Sequence, residues 1–573
     1  MTLASAWPRA TAPARLPRWL PAFVLPTAAA LGISAWIGIN FDVRFAVGGM
    51  RAAAGTGSFA NIFVHRPLAY RALLAGMDAL PRTLYGADDS GPGAEFLFRV
   101  EALVLVLAAA VLVWAGVRRV RPELAGPVAC AVGLAFALVP NWTFLEPDWV
   151  GALWAAAALG VALLPRRTWL GAVLGGILLL LAVATKVATA PYALLALGVL
   201  ALWHLARAAL TCAIMVLLVT GWALITWQLE PTEWQWLGDM AALIPTSPLH
   251  VGLAGLNWAA FGQSAANLLV ECPIVLALPT VLILLVTGAE RRWRALGLAL
   301  GAVVLAVLPV LAQGEWFLYQ WVGLPVLVAG LAAATLPGQR TAVLVAVLGP
   351  VAAAGVASAI LLSQSHAWRT AQFGPVVTAY LVALGVSVLA TAIARIVARP
   401  GAGPAGWLGC AVLTVVGAIG VGVANVPGAA YTLAGYESTV TNANLDAQSD
   451  TRRTEFAALR KRLGANTPVL YFAFGDINYF LGNPTPCRYP SPVWLQRSTY
   501  LPYVREFASY RDNARCLVHP DAKYLVVQPS WFTVSGLAPD LLAEVNQDFD
   551  CARPIDVGEG TLVVCPKRDD SRG

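Results

Sequence analysis

The sequence contains few charged residues: Asp, Glu, Lys and Arg make up only 12% of its 573 residues, whereas 58% are hydrophobic. A typical soluble domain carries about 25% charged residues. The deficit therefore excludes a wholly soluble protein. It is typical of a chain that lies mostly in a bilayer, where each spanning helix needs about 20 mainly apolar residues.

Several binding motifs are missing as well. There is no C-x-x-C pair and no histidine cluster, so the cysteine spacing does not fit a zinc site. There is no lipidation motif, and the C-terminal part has no glycine-rich phosphate loop. No basic stripe with interleaved aromatic residues is present, so the net charge of +7 does not indicate nucleic-acid binding. We expect no nucleic-acid partner.

The basic residues that are present follow a regular pattern. Long apolar segments alternate with short gaps, and every second gap carries arginine, while the other gaps are acidic, aromatic or polar. Lys and Arg beside membrane spans stay on the cytoplasmic side. The pattern predicts a multi-pass membrane protein whose N-terminus is cytoplasmic. The basic gaps contain Arg9, Arg15 and Arg18; Arg118, Arg119 and Arg121; Arg166 and Arg167; Arg207; Arg291, Arg292 and Arg294; Arg340; and Arg395 and Arg399.

Hydropathy and segment length predict a polytopic α-helical protein with about thirteen transmembrane helices. The first is a retained span, because its apolar run lacks the small-residue cleavage site of a signal peptide. An odd number of spans places the C-terminus outside. The composition, rich in Ala, Gly, Arg and Trp, suggests a bacterial plasma membrane. The predicted spans are residues 20–39, 97–117, 123–140, 149–164, 169–185, 189–205, 208–227, 270–288, 295–312, 317–335, 341–361, 375–395 and 405–425.

The composition changes near residue 430. Residues 1–430 form the predicted transmembrane domain, and its long outside loops, 40–96 and 228–270, carry the candidate site. Residues 431–573 alternate helical and β-rich stretches, which predicts a small extracytoplasmic α/β domain. Helices on the outer surface are expected over Phe45–Ala54, Leu68–Leu80 and Thr451–Leu463, and strands over Pro468–Phe474, Tyr524–Gln528 and Thr561–Cys565.

The eight cysteines form two groups. Four lie in or beside apolar spans. The other four lie in the C-terminal part, where an even number in an exported domain indicates disulfides. Cys551 and Cys565 flank a predicted hairpin, so we expect them to pair, which leaves Cys487 with Cys516. The alternative is four free thiols.

Asp42 directly follows the first predicted span. A carboxylate at the lipid–water boundary can accept the proton of an acceptor hydroxyl while a lipid-linked donor lies beside it. The sequence therefore makes Asp42 a candidate general base. The alternative is that Asp42 caps the helix that follows.

Cationic and titratable side chains are predicted on the same outer side. His65 and Arg66 lie together in the first loop, and guanidinium groups suit phosphate through their fork of donors. Lys186 lies in the turn Lys186–Pro191, where a charge close to hydrocarbon is a functional candidate. The alternatives are a turn that faces lipid headgroups and a snorkelling lysine. If this turn were a break within one span, all later gaps would change sides.

Glu146 and Asp148 occupy the outer turn before the fourth predicted span. Paired carboxylates can bind an acceptor or a divalent cation such as Mg or Mn through oxygen. They can equally cap the next helix, with Asp148 as the capping residue. No other cofactor is indicated.

This arrangement resembles the GT-C superfamily of membrane glycosyltransferases, and in particular the branch of the protein O-mannosyltransferases and the lipid A aminoarabinose transferase. In that branch the first loop carries an Asp-Glu-x-Arg-Tyr-Ala-like motif and then a Pro-Pro-Leu-Tyr-Tyr-like motif. In this sequence Val43 occupies the position of the glutamate in the first motif. The second motif has the single proline Pro67 where the family has two prolines. The counterparts of the two motifs here are Asp42, Arg44, Phe45 and Ala46, then Pro67, Leu68 and Tyr70.

The resemblance implies transfer of a sugar, with inversion, from a polyprenyl-phosphate donor to a cell-envelope acceptor, which is a glycan, a lipid or a protein. Asp42 would be the base, and the C-terminal domain would cover the acceptor site or bind a growing glycan. Membrane lipids surround the chain. The donor phosphate would be held by Arg44, His65, Arg66 or Lys186.

Two other functions compete with this hypothesis. A transporter of lipid-linked sugars would place charges inside the spans along a path, whereas the middle of the spans here is almost free of charge. A non-catalytic cell-envelope scaffold would keep the fold without the chemistry, and Val43 at the motif position favours that alternative.

Overall fold

The computed structural model describes most of the chain. The predicted spans 20–39 and 405–425 lie largely outside the described residues, and Arg9, Arg15, Arg18, Arg291 and Arg399 lie outside them entirely. The described residues are Leu25, Ala28, Gly32 and the ranges 37–86, 90–243, 258–288, 292–314, 316–397, 422–435, 437–518, 520–555 and 561–568.

The described part is dominated by α-helices, numbered here in chain order. In the membrane part they are α1 (Phe41–Ala52), α2 (Leu68–Tyr85), α3 (Pro92–Val120), α4 (Pro122–Ala137), α5 (Pro147–Leu163), α6 (Thr168–Thr185), α7 (Ala190–Trp203), α8 (Leu205–Leu229), α9 (Pro231–Leu243), α10 (Trp258–Glu271), α11 (Leu278–Gly288), α12 (Arg292–Gln313), α13 (Gly323–Thr335), α14 (Thr341–Leu362), α15 (His366–Ala371) and α16 (Phe373–Val397). The C-terminal part contains α17 (Asn442–Leu463), α18 (Gly475–Leu481), α19 (Val493–Ser498), α20 (Ala508–Arg515) and α21 (Pro539–Asp548), with strands β1 (Val469–Phe472), β2 (Tyr524–Val527) and β3 (Val563–Pro566).

Many of these helices are apolar. Among the described residues, seven are long and apolar enough to cross a membrane, or up to eight if the bent pair α10–α11 forms one span. Three shorter apolar helices, which correspond to α4, α5 and α7, lie in the same region. The predicted polytopic helical membrane protein with a small C-terminal sheet is confirmed.

Two opposite ends of the bundle carry different residues. Arg207 donates to the Ala162 carbonyl over 2.9 Å, and Arg395 contacts Thr287, so the arginine-bearing gaps meet at one end. We call this the basic end. Lys186 contacts Asp148 at the other end, which we call the site end. The predicted turn at Lys186 is confirmed, because α6 ends at Thr185 and α7 returns towards the basic end.

The predicted continuous span over residues 270–288 is wrong in detail. It begins as a 3₁₀-helix, Pro273–Ala277, before α11, and α10 meets this pair at a bend of 100°. Proline has no backbone N–H and clashes with the preceding turn, so Pro273 ends one helix and starts another. The predicted span 317–335 likewise begins with a 3₁₀-helix, Leu318–Trp321, before α13.

Helix α1 packs closely against α18 from the C-terminal part. A Cβ atom added at Gly48 would lie 2.5 Å from the backbone nitrogen of Tyr479, and one added at Gly475 would lie 2.4 Å from the Phe45 ring. No side chain fits at such distances, so both positions require glycine. The helix that follows Asn40 is thereby fixed to a segment far along the chain.

The C-terminal sheet has the order β1-β2-β3. Strand β1 pairs in parallel with β2, and β3 runs antiparallel to β2. Helix α18 follows β1 and ends at Gly482, whose φ of 67° is the left-handed conformation that glycine adopts at helix ends. The predicted strand–helix order is therefore present in the structure.

Two disulfides lie in the same part. They join Cys487 to Cys516 and Cys551 to Cys565, the same pairs that the sequence favours. The first connects the segment before α19 to the end of α20, and the second connects β3 to the turn after α21.

Candidate active site

The start of α1 positions Asp42. The Asn40 side chain accepts a hydrogen bond of 2.9 Å from the Asp42 backbone and donates one of 2.6 Å to the Trp142 carbonyl. Asn40 is therefore the helix cap. The capping interpretation of Asp42 is wrong, and its carboxylate is free to face other groups.

The Asp42 carboxylate faces Arg66. The Arg66 Nη2 atom lies 3.0 Å from Asp42 Oδ2 and 3.6 Å from Glu146 Oε2. Two uncommon backbone conformations deliver these side chains: φ is 54° at His65 and 65° at Leu145. Left-handed conformations cost a non-glycine residue of order 1–3 kcal/mol and cluster at functional sites. Both turns thus bring Arg66 and Glu146 together.

Glu146 is buried with little compensation. Its side chain is 1% exposed, and among the described residues neither carboxylate oxygen has a hydrogen-bond partner. Burial, and next the charge of Asp42, raise the pKa of Glu146 well above its ordinary value, although Arg66 opposes this shift. Glu146 therefore favours its protonated form.

Lys186 and Asp148 form a second ion pair. Lys186 Nζ lies 2.8 Å from Asp148 Oδ2, and Asp148 Oδ1 accepts a hydrogen bond of 3.1 Å from Gln313. Lys186 also donates a hydrogen bond to the side-chain Oε1 atom of Gln313. The Asp148 side chain is fully buried, so the pair holds the turn at Lys186 against α5 and α12.

The structure separates the two carboxylates that sequence analysis considered as a metal site. Glu146 faces Arg66, whereas Asp148 faces Lys186 and Gln313. Helix α5 begins at Pro147, so Asp148 is not its cap. Within the described ranges no group of three or more His, Cys, Asp or Glu side chains is placed to hold a metal ion. We derive no step through a metal ion.

A cavity of about 440 Å³ opens beside these pairs at the site end. His65, Arg66, Glu146 and Lys186 all line it, so the structure brings these predicted residues together. Most of the remaining lining is apolar or aromatic. It includes Trp234, Trp236, Leu237 and Met240 of α9, together with Tyr319.

Aromatic and charged contacts fix the cavity walls. The Lys186 Nζ atom lies 5.5 Å from the centre of the Tyr319 ring, at a distance that favours a cation–π contact. Arg71 pairs with Glu233 of α9 at 2.8 Å, and both line the cavity. Trp236 donates to the Tyr489 hydroxyl over 2.9 Å, so α9 is tied to the C-terminal part.

His65 differs from the prediction in its charge. Burial, followed by the charges of Arg66, Arg497 and Lys186, lowers the pKa of His65 well below its ordinary value. The imidazole is therefore neutral near pH 7. It can donate one hydrogen bond to an anion but supplies no positive charge.

The structure does not support Arg44 as a phosphate ligand. Its guanidinium forms two hydrogen bonds to Glu95, of 2.9 and 2.8 Å, and a third of 2.8 Å to Ser449. The Arg44 side chain is 5% exposed, and Arg44 is absent from the cavity lining. Arg44 instead connects α1 to α3 and α17.

Two residues near the cavity are not predicted from the sequence. Arg497 of α19 lines the cavity with His65 and Arg66. Glu437 has a left-handed φ of 67°, and burial, followed by the charges of Asp42 and Glu146, raises its pKa well above the ordinary value. Neither belongs to a local motif, and both reach the site only through the tertiary fold.

Comparison with known proteins supports the fold. No protein-family model matches the chain, and no curated protein matches it. Among solved structures, the chain is similar to ArnT from Cupriavidus metallidurans bound to undecaprenyl phosphate, with a TM-score of 0.53 and 16% identity over 96% of this chain and 98% of that one. The apo state of the same ArnT gives a TM-score of 0.50 and 16% identity over 96% and 97% of the two chains.

A third similar structure is the oligosaccharyltransferase AglB from Archaeoglobus fulgidus, in complex with an inhibitory peptide and a dolichol-phosphate. It has a TM-score of 0.36 and 12% identity over 93% of this chain and 72% of that one. The similarity to ArnT, at 16% identity, supports the predicted polytopic helical fold.

Proposed function

We propose that this protein is a membrane glycosyltransferase that transfers a hexose or pentose, with inversion, from a polyprenyl-phosphate donor to a hydroxyl of an extracytoplasmic cell-envelope acceptor. One observation carries the proposal: a carboxylate, Asp42, lies 3.0 Å from a guanidinium, Arg66, that lines a cavity with Lys186 and His65. A base beside a phosphate-binding cavity is what this reaction requires. The site end would then face the outside of a bacterial plasma membrane.

The donor phosphate is assigned to the cavity. Arg66 and Lys186 supply positive charge, and neutral His65 supplies a hydrogen-bond donor. The aliphatic and aromatic residues of α9 suit the lipid end of the donor, because apolar surface favours a prenyl chain. Undecaprenyl phosphate is the lipid bound to the similar ArnT, which supports this donor class.

Asp42 is assigned as the general base. As the acceptor oxygen attacks the anomeric carbon, its proton passes to Asp42, and the bond between that carbon and the phosphate oxygen breaks. The electron pair stays on the phosphate, which leaves as an anion and needs no proton. Attack from the face opposite the phosphate gives inversion.

The ion pair between Arg66 and Asp42 couples proton transfer from the acceptor to departure of the phosphate. While Asp42 is ionised, it forms an ion pair with Arg66. When Asp42 takes the acceptor proton, its charge disappears at the moment when the phosphate gains one. The Arg66 guanidinium is then free to stabilise the leaving group, as preorganised charges do in water-excluded sites.

The test is transfer of radiolabelled sugar from a panel of polyprenyl-phosphate donors by membranes that contain wild-type protein, Asp42→Asn or Asp540→Asn. Asp540 is exposed in α21 and serves as the matched control. General bases contribute about 10²–10⁴-fold, so we expect a loss of that size for Asp42→Asn only. Equal transfer by both variants would remove Asp42 as the base. If wild type used no donor in the panel, the proposed function itself would fail.

A further inference from the structure

Arg497 reaches the cavity from the C-terminal part of the chain. It lies in α19, whose Trp494 packs 5.6 Å from Phe63 between ring centres. Phe63 precedes His65 by two residues, so this contact brings α19 against the first loop. The short helix is further held by a hydrogen bond from Gln496 to the Trp531 carbonyl. Arg497 is therefore presented by a firmly packed element.

The cations that line the cavity differ in their counter-charges. Arg66 has Asp42 within 3.0 Å, Arg71 has Glu233 within 2.8 Å, and Lys186 has Asp148 within 2.8 Å. For the Arg497 guanidinium, no hydrogen bond or ion pair is found among the residues that the structure describes. Among the four cationic side chains that line the cavity, Arg497 is therefore the one that has no carboxylate partner in the described part of the chain.

A partly buried charge without a partner is unfavourable unless a ligand supplies one. The neighbouring groups do not supply it: His65 is neutral, and Arg66 and Lys186 are themselves positive. Glu146 already faces Arg66. An anionic ligand in the cavity is the group that would complete the environment of Arg497.

We propose that Arg497 binds the phosphate of the lipid donor and neutralises the negative charge that this phosphate gains when the sugar departs. This inference rests on the proposed function and goes beyond it, because it makes the C-terminal part a component of the donor site. In the donor the phosphate is a diester with one negative charge. In the product it is a monoester with a charge of about −1.5 to −2 at neutral pH.

The step balances without a further reactant. The acceptor oxygen forms a bond to the anomeric carbon, and the bond from that carbon to the phosphate oxygen breaks. The acceptor proton moves to Asp42, and the electron pair of the broken bond remains on the phosphate. Arg66 and Arg497, which both line the cavity, would then share the product charge.

The test measures binding to the full-length protein in lipid nanodiscs. The probes are undecaprenyl phosphate, its methyl diester and uncharged undecaprenol. The variants are Arg497→Gln, Arg497→Lys and, as control, Arg511→Gln. Arg511 is exposed on α20, and its side chain donates a hydrogen bond to the Glu506 carbonyl.

We expect Arg497→Gln to weaken binding of undecaprenyl phosphate roughly ten-fold, which is the size of one charge-assisted hydrogen bond. The loss should be smaller for the methyl diester and absent for undecaprenol. Arg497→Lys should recover part of the affinity, and Arg511→Gln should bind like wild type.

Other outcomes separate this inference from the proposed function. If wild type binds undecaprenyl phosphate and Arg497→Gln binds it equally well, the role of Arg497 is overturned while the proposed donor stands. Equal losses for all three probes indicate a merely structural role and also overturn it. If wild type binds none of the phosphates, both the proposed function and the role of Arg497 fail.

Discussion

The Nη2 atom of Arg66 lies 3.0 Å from the Oδ2 atom of Asp42. The two residues come from different elements, since Asp42 lies in the first turn of α1 and Arg66 precedes α2. The same nitrogen lies 3.6 Å from Glu146. One guanidinium therefore contacts the carboxyl groups of both Asp42 and Glu146.

Arg66→Gln should weaken binding of undecaprenyl phosphate by roughly 10–100-fold, because a hydrogen bond to a charged group contributes about 1.5–3 kcal/mol. Arg66→Lys keeps the charge but loses the fork of donors, so it should retain intermediate affinity. Titration of the purified Arg66→Gln and Arg66→Lys variants with undecaprenyl phosphate measures both affinities. Wild-type affinity in both variants would contradict a role for Arg66 in phosphate binding.

Glu146→Gln should stabilise the protein increasingly as the pH rises. Burial and the charge of Asp42 raise the pKa of Glu146 well above its ordinary value of 4.5. The folded protein therefore holds this proton more tightly than the unfolded chain, so the stability that it contributes is present below pH 4.5 and is lost as the pH rises towards the folded-state pKa. Glutamine has no such proton to lose.

Thermal unfolding of wild type and Glu146→Gln between about pH 4.5 and 8 measures this effect. The difference in Tm, variant minus wild type, should grow with pH. Glu506→Gln, at an exposed position, provides the control and should show no such trend. A difference that stays constant or shrinks would mean that Glu146 is ionised in the folded protein.

Lys186 and Asp148 should be strongly coupled in a double-mutant cycle. Lys186→Met leaves Asp148 buried without its cation, and breaking a buried pair from one side costs about 3–5 kcal/mol. The double variant Lys186→Met/Asp148→Asn removes both charges, so it should lose much less than the sum of the single variants. The free energies of unfolding of wild type, both single variants and the double variant are measured in the same detergent. If the two single losses of stability add up to the loss of the double variant, the pair is not coupled.

Arg44→Met should lower stability without a specific effect on lipid binding. It removes the partner of buried Glu95, although Arg453 at 3.3 Å still compensates part of that charge. Breaking a buried ion pair from one side costs about 3–5 kcal/mol, and we expect the free energy of unfolding to fall by an amount near the lower end of that range. Affinity of the folded fraction for undecaprenyl phosphate should stay within about two-fold of wild type. A ten-fold loss of affinity with unchanged Tm would restore Arg44 to the phosphate site.

Much of the membrane part follows from local sequence patterns. Apolar segments of spanning length predict α3, α6 and α8, because a bilayer selects helices by length and composition. The turn at Lys186 follows from the alternation of basic gaps. Hydropathy does not predict the bend before α11, because a proline within an apolar run leaves its mean hydropathy high while it divides the helix.

The candidate site is harder to predict because its contacts are tertiary. Asp42 and Arg44 are close in sequence, but residues two apart on a helix point away from each other. Arg44 therefore turns to Glu95 while Asp42 turns to Arg66. Arg497 reaches the cavity from α19, where Trp494 packs on Phe63, and no local pattern in the sequence indicates that contact.

The contact between Arg44 and Ser449 has a consequence for how the protein is made. The two residues are 405 positions apart, yet they hold α1 to the C-terminal part, as the close approach of Gly48 and Tyr479 also does. A ribosome that adds about 5–20 residues per second needs roughly 20–80 s to supply the second partner. The helix that bears Asp42 therefore lacks these neighbours until the ribosome has synthesised residues 449 and 479. A product truncated before residue 442 would carry the described helices α1–α16 and still lack the contacts of Arg44 with Ser449 and of Gly48 with Tyr479.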